Sequence, residues 1–541
     1  MKELKELKLE EMTIKQKVGF VMTALIADTW PKENFPQVTD FVYKLIRERS
    51  LGAVWVNWNY CEKYKEALKE INEIADYPIL IITDAENGLP PYTVGAHNTI
   101  GMADSEELAY TFGKLTAATA REWGYNVVCD PVVDMINGPG ICGTNQRSMG
   151  GDKEKVSALS KAVVRGMHDA GVLSIAKHYP SPSKERREVG VQIDSHMAET
   201  YSPQTKEELL GYSLYPYLEL MKEGLLDGIM TGHCRLPNID PDYPASLSKK
   251  VIDIIREQGF EGIAITDALN MMGVVAKFGK EPPYSLSIAA GNDLALPWTI
   301  RNEEVFEAMV KGYEDGMYDE ETLNKAVSRV LAAQHKVLEM QKNANPSITE
   351  KDIENYNKFA PRSVFAKTDE GVPQNLDKDG KYCFFVLTDV AAEIKDNGTV
   401  DVDTFKGKWF NPNEIMERLR KEFPNSVAYP ISEYPVAWRI SRALSDAMGY
   451  EVVFITYHNP QAYIGKECLS SRIISLMQAM QVSDRISTIV HFGNPYILED
   501  VPHIPRVIIG GGFKNSVDTA LDVLTGKEKA QGTLTYDVKF N

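Results

Sequence analysis

Eight short apolar runs recur through roughly the first 300 residues, and no other feature restricts the fold as sharply. They lie at 18–27, 52–56, 79–82, 126–129, 172–176, 228–230, 262–265 and 293–296. Between them, stretches such as 106–122, 154–169, 206–222 and 249–258 carry apolar residues at helical spacing. A near-continuous apolar strand is buried on both faces, and strands alternating with helices make a parallel sheet covered on both sides. Eight such units predict a (β/α)8 barrel, with a doubly wound sheet as the rival. Thr13-Ile14-Lys15-Gln16 has the form of a capping box, so a helix is expected to begin there. Residues 303–342 would supply one or two helices that close the barrel.

Turn formers at Asn343-Ala344-Asn345-Pro346-Ser347 end this pattern. The fold class is α/β throughout: a (β/α)8 barrel over 1–345, a linker with a helix over 346–378, and a smaller α/β domain of sandwich type over 379–541. Strands are expected at 381–386, 451–457, 487–491 and 506–509, with helices between them, and the unit ends in 533–538. Gly510-Gly511-Gly512 follows a strand and precedes a helical pattern, which suits a phosphate cradle or simply a tight connection.

Charge narrows the partners. The 541 residues contain 59 Lys and Arg against 76 Asp and Glu, a net of −17. Nucleic acid and anionic membrane surfaces both demand positive charge, so neither is expected; a small, neutral ligand is. The six cysteines (Cys61, Cys129, Cys142, Cys234, Cys383, Cys468) show no CxxC pairing and read as free thiols. The opening residues lack the cationic-then-apolar order of a signal peptide, and the run 18–27 is about half of what a bilayer needs. A cytoplasmic protein is the expectation.

Barrel chemistry sits where strands end. Run 79–82 exits into Thr83-Asp84-Ala85-Glu86, and run 126–129 into Asp130-Pro131-Val132-Val133-Asp134. Run 228–230 leads to Thr231-Gly232-His233, and run 262–265 to Thr266-Asp267-Ala268. Run 172–176 delivers Lys177-His178, followed by a long polar loop that closes on Asp194-Ser195-His196. Any one of these could be a helix cap or a salt bridge. Five in register, rich in carboxylates, cations and imidazoles, suit a polyhydroxylated ligand. HExxH and CxxC are absent, as are the dinucleotide and Walker glycine fingerprints, so no cofactor is expected. Asp194, His196, His178 and His233 could form a metal site, but none is expected there.

The ordered set Lys177-His178-Tyr179-Pro180, Asp194-Ser195-His196, Pro244-Ala245-Ser246-Leu247-Ser248 and Thr266-Asp267-Ala268-Leu269-Asn270-Met271 resembles glycoside hydrolase family 3. The likeness is to its β-N-acetylglucosaminidase branch, in the two-domain form. It runs from Thr13 to about Pro297 and continues, more weakly, to His491-Phe492-Gly493-Asn494-Pro495-Tyr496. The resemblance implies a retaining glycosidase with Asp267 as nucleophile. It implies Asp194 and His196 as an acid/base pair, and Asp84, Arg147, Lys177 and His178 as sugar ligands. The implied partner is a small carbohydrate, an amino-sugar conjugate recovered by the cell; a homodimer is compatible with the chain.

Physical chemistry independently suits these roles. A retaining glycosidase needs a carboxylate at the reacting carbon and a second group to protonate the leaving oxygen. Asp267 would stand on a stiff strand end. Histidine, with an ordinary pKa of about 6.5, exchanges protons near neutral pH, and a neighbouring aspartate can orient its ring. The loop would bring the acid in when it closes. Three departures from the family pattern stand out. Pro180-Ser181-Pro182-Ser183 replaces a glycine-rich exit, and the loop that follows is longer, with Lys184-Glu185-Arg186-Arg187-Glu188 adding charge that would face an aglycone or solvent. Asp84-Ala85-Glu86-Asn87-Gly88-Leu89 keeps the aspartate but lacks a following arginine, and Thr266-Asp267-Ala268 replaces a doubled aspartate while leaving the implied nucleophile in place. The rival readings are a β-glucosidase or xylosidase with a carboxylic acid from the second domain, a glycoside phosphorylase, and a sugar-binding protein without turnover.

Overall fold

The computed structural model describes residues 4–26, 38–56, 61–136, 147–183, 186–187, 194–279, 283–388, 394–395, 398–400, 409–458, 469–535 and 537–541. The charged stretch 184–188 therefore lies outside the described side chains, as do the thiols of Cys61, Cys142 and Cys468. Two compact units result. The first comprises Met1–Thr93, Glu106–Met135 and Asp152–Tyr356; the second comprises Val94–Ser105, Ile136–Gly151 and Asn357–Asn541.

In the first unit, helix Ile14–Phe20 starts from the expected capping box, in which the Gln16 N–H donates to Thr13 Oγ1 and the Thr13 N–H to Gln16 Oε1. The apolar run beginning at Val18 is then shared between the end of this helix and a strand. Seven strands follow in chain order, each parallel to the next: β1 Thr23–Ile26, β2 Ala53–Val56, β3 Leu80–Asp84, β4 Val127–Cys129, β5 Leu173–Tyr179, β6 Gly228–Thr231 and β7 Ile263–Thr266. Their residues are almost wholly buried, as strands covered on both faces must be.

The eighth run closes the ring. Leu294 N–H donates to Ala264 O at 3.0 Å and Ala295 N–H to Val21 O at 2.9 Å, so this short segment joins β7 to β1. The result is a (β/α)8 barrel, not an open sheet. Helix Glu106–Glu122 matches the sequence pattern residue for residue. The helix expected over 206–222 is instead broken by a wide turn, Leu209–Ser213, before Tyr215–Lys222. Pro216 supplies the cause, since it has no N–H to continue the ladder.

The second unit is a six-stranded sheet: β8 Val364–Thr368, β9 Tyr382–Thr388, β10 Val427–Ser432, β11 Glu451–His458, β12 Ile486–Gly493 and β13 Arg506–Gly510. Their spatial order is β8-β13-β12-β11-β9-β10, parallel except for β8 against β13. Alternate residues face opposite cores: Phe385, Phe454 and Ile489 pack on one side, Phe384, Val453 and Val490 on the other. Among the described residues, the closing segment 533–538 forms no strand. Thr533 N–H donates to Met102 O at 2.9 Å and Gly532 N–H to Val364 O at 2.8 Å, and neither bond extends into a ladder. The triple glycine is a tight connection. A Cβ at Gly511 would lie 2.6 Å from Thr99 Oγ1, and its N–H donates to Ser363 O.

Candidate active site

Strand β5 extends beyond the predicted 172–176, so Lys177 and His178 are held inside a strand instead of following it. The added length has a partner in the chain after β4: Lys177 N–H donates to Pro131 O and Val133 N–H to Lys177 O. That pairing brings Asp134 beside His178. One Asp134 oxygen accepts the His178 backbone N–H at 2.9 Å and the other lies 2.7 Å from its Nδ1. A carboxylate only accepts, so Nδ1 carries a proton and Nε2 is the nitrogen turned to chemistry.

Lys177 is buried between two carboxylates. Its ammonium makes a close ion pair with Asp84, at the end of β3, and lies 2.6 Å from Glu86 Oε1. Burial pushes the Asp84 carboxyl up; Lys177 pulls it down, and the charges of Glu86 and Asp267 raise it again. The balance lies above the ordinary carboxylate value.

Asp267 follows β7. Its backbone N–H donates to Thr231 O at 2.9 Å, and its Oδ1 accepts the Ala268 N–H at 2.7 Å. Burial alone would raise its pKa, but the imidazoles of His178, His233 and His196 and the Ala268 N–H more than offset this and bring it to about 2. The group is a carboxylate at any working pH, as a nucleophile must be.

The Asp-Ser-His segment reaches the same place. Asp194 is buried, and its Oδ1 accepts the His196 N–H at 2.9 Å and lies 2.7 Å from His196 Nδ1. The ring is thereby fixed with Nε2 as the exchanging nitrogen, while 22% of the side chain remains exposed. What holds this segment is the start of helix Met272–Phe278, immediately downstream of Asp267. Gly273 N–H donates to Ser195 O at 2.9 Å and Met272 N–H to His196 O at 3.3 Å. A Cβ on Gly273 would lie 2.8 Å from Ser195 O, so only glycine permits this approach.

Asp84, Lys177, His178, Asp194, His196 and Asp267 are thus brought together at the strand ends. Arg147 belongs to the second unit and is half-buried there. The structure adds four residues that were visible as strand exits or motif members but had no partner in sequence: Glu86, Asp134, His233 and Ser246. His233 is buried, and that pushes its pKa below the ordinary value. Its Nε2–H donates to Ala268 O at 3.0 Å, leaving Nδ1 to accept from Ser246 Oγ at 2.7 Å. It braces the Asp267–Ala268 backbone from behind. Among the described residues, no group of three or more His, Cys, Asp or Glu is arranged to hold a metal ion.

Five carboxylates (Asp84, Glu86, Asp134, Asp194 and Asp267) thus face one ammonium and the imidazoles. Such a field stabilises positive charge developing on a bound ring.

Comparison with known proteins places this geometry in context. The model of the glycosyl hydrolase family 3 N-terminal domain matches residues 5–333. A β-hexosaminidase of Tolumonas auensis is 29% identical over 269 residues, which is 47% of this chain and 77% of that protein. One from Idiomarina loihiensis is 30% identical over 254 residues, 44% of this chain and 73% of that protein. Among solved structures, a family 3 β-N-acetylglucosaminidase from Paenibacillus sp. superimposes with a TM-score of 0.78 at 23% identity, over 98% of this chain and 100% of that one. The β-glucoside phosphorylase BglX gives 0.78 at 21% identity, over 98% of this chain and 95% of that one. These two likenesses establish a shared two-domain fold.

Proposed function

The chain belongs to glycosyl hydrolase family 3 and is a glycosidase, and from that premise we propose that it releases terminal β-linked N-acetylglucosamine from small amino-sugar conjugates with retention of configuration. The observation that carries this reading is the Asp194–His196 pair, docked beside Asp267 with the ring oriented for proton exchange at Nε2. Two named β-hexosaminidases covering most of their length support the sugar.

The Asp267 carboxylate attacks the anomeric carbon as the bond to the aglycone oxygen breaks. His196 Nε2 delivers its proton to that oxygen, and the imidazolium left by protonation in the free enzyme returns to imidazole. Asp194 holds the charged ring until then. Water next enters on the face the aglycone vacated. His196 Nε2 takes its proton, the new C–O bond forms, and Asp267 leaves as carboxylate. Asp84, Lys177 and His178 grip the hydroxyls of the reacting sugar. Their polar groups are set in strands or strand ends, so little reorganisation accompanies the reaction. Fragments of chitin or of a cell wall are substrates of this class.

Trapping with a 2-deoxy-2-fluoro or an N-acetylglucosamine-type mechanism probe, followed by mass spectrometry of the labelled peptide, tests the assignment. The label belongs on the peptide containing Asp267, and a label on any other peptide overturns the mechanism.

A further inference from the structure

A cavity of about 480 Å³ opens within the second unit, beside the edge strand β10. That volume is in the range of small-ligand sites. Three guanidinium groups line it: Arg420 from helix Pro412–Glu422, and Arg439 and Arg442 from helix Ala437–Asp446. Tyr429, Tyr434 and Lys395 line it as well, and among the described residues the acidic side chain on the wall is Asp446.

The state of these cations matters more than their number. Arg442 Nε lies 3.3 Å from Asp446 Oδ2, a single contact between neighbours one helical turn apart, and 65% of the Arg442 side chain is exposed. Such a pair contributes little and is readily exchanged for a better anion. Arg420 spends one N–H on Ala428 O at 2.5 Å, where it caps the open edge of the sheet. Arg439 lies 4.4 Å from the ring of Trp438, itself 57% exposed. Among the described residues, neither Arg420 nor Arg439 is held by a carboxylate. On a chain with a net charge of −17, three guanidinium groups gathered around one cavity, two of them paired with no carboxylate among the described residues and the third holding one loose contact, suit an anionic ligand.

The aromatic side chains narrow the ligand. Tyr434 is 48% exposed, and Trp438 stands next to the same wall. Exposed rings of this kind offer flat faces to the C–H face of a sugar ring, and guanidinium forks bind carboxylates bidentately. We propose that this cavity is a second carbohydrate site, specific for an acidic oligosaccharide whose pyranose rings stack on Tyr434 and whose carboxylates are taken by Arg439 and Arg442. The site lies entirely within the second unit and does not rest on the roles of Asp267 or His196.

Calorimetric titration of the full chain with a hexameric oligogalacturonate tests it, against a neutral cello-oligosaccharide of equal length and a glutamate peptide of equal charge. The acidic oligosaccharide binds, and its affinity falls as salt rises. In the Arg439→Glu, Arg442→Glu double variant the affinity drops roughly tenfold or more, and Tyr434→Ala weakens it independently. Both variants hydrolyse an aryl glycoside at the wild-type rate, which shows that they are folded. Absence of oligogalacturonate binding, equal affinity in the double variant, or a glutamate peptide bound as tightly as the sugar each overturns the proposal.

Discussion

Lys177 lies between Asp84 and Glu86, and a single ammonium cannot neutralise both while Asp267 adds a third negative charge nearby. Burial first, and then these like charges, raise the folded pKa of Asp84 above its unfolded value, which makes its charged form a cost to folding. That cost is present above the folded pKa and disappears as pH falls below the unfolded one. Asp84→Asn removes it, and Lys177 keeps Glu86. The variant should melt no lower than wild type at neutral pH in a calorimetric scan, while kcat/KM falls roughly ten- to a hundredfold with the loss of a charged contact to sugar hydroxyls. A lower melting temperature would mean that Lys177 depends on Asp84 for its burial. Asp267 runs the other way. Its folded pKa of about 2 is below the ordinary carboxylate value, so its contribution to stability is present above that ordinary value and is lost as pH falls through about 2. Inactivation by the fluorosugar probe should then be flat on the acid side down to about pH 4. In His178→Ala, where the largest electrostatic influence lowering the Asp267 carboxyl is gone, an acid limb should move into view at higher pH. An unshifted profile would show that His178 does not set the charge of Asp267.

At the scale of elements, the two halves of the proposed chemistry are joined by a short backbone contact. The segment 194–198 rests on helix Met272–Phe278 through the N–H groups of Met272 and Gly273, and the Gly273 contact leaves no room for a Cβ. Gly273→Ala must push Ser195, and His196 with it, away from Asp267. Proton delivery should suffer before nucleophilic attack does. The expected result is a loss of roughly tenfold or more in kcat on substrates with poor leaving groups and little change on activated aryl glycosides, whose oxygen needs no proton. An equal loss on both classes would mean that the substitution disturbs Asp267 itself. This contact was not legible in the sequence, because it joins positions far apart in the chain. The same holds for Asp134, which meets His178 only because β5 runs three residues past its apolar core. Strand β10 escaped notice for a local reason: Pro430 argues against a strand, yet an edge position tolerates it. By contrast the barrel strands were legible, since burial on both faces writes an unbroken apolar run.

For the molecule as a whole, charge decides between the two acceptors that the proposed histidine acid/base would leave open. Replacing a carboxylic acid with imidazole removes one obstacle to an incoming phosphate, and a phosphorylase shares this fold. The rest of the first unit's site works against that anion. Asp84, Glu86 and Asp267 lie at the site, Asp134 and Asp194 stand behind the rings of His178 and His196, Lys177 is already committed to Asp84 and Glu86, and the chain carries −17 overall. Like charges so close to a low-dielectric site repel a phosphate dianion and leave neutral water as the better acceptor. The same negative field favours the cationic character of the ring at the transition state, which is common to both reactions and so cannot favour phosphate. Turnover of an aryl N-acetylglucosaminide in a non-phosphate buffer should be unchanged when phosphate is added at constant ionic strength, with the free sugar as product in both cases. Sugar 1-phosphate appearing in proportion to added phosphate would show that the cations reaching the acceptor site outweigh these five carboxylates.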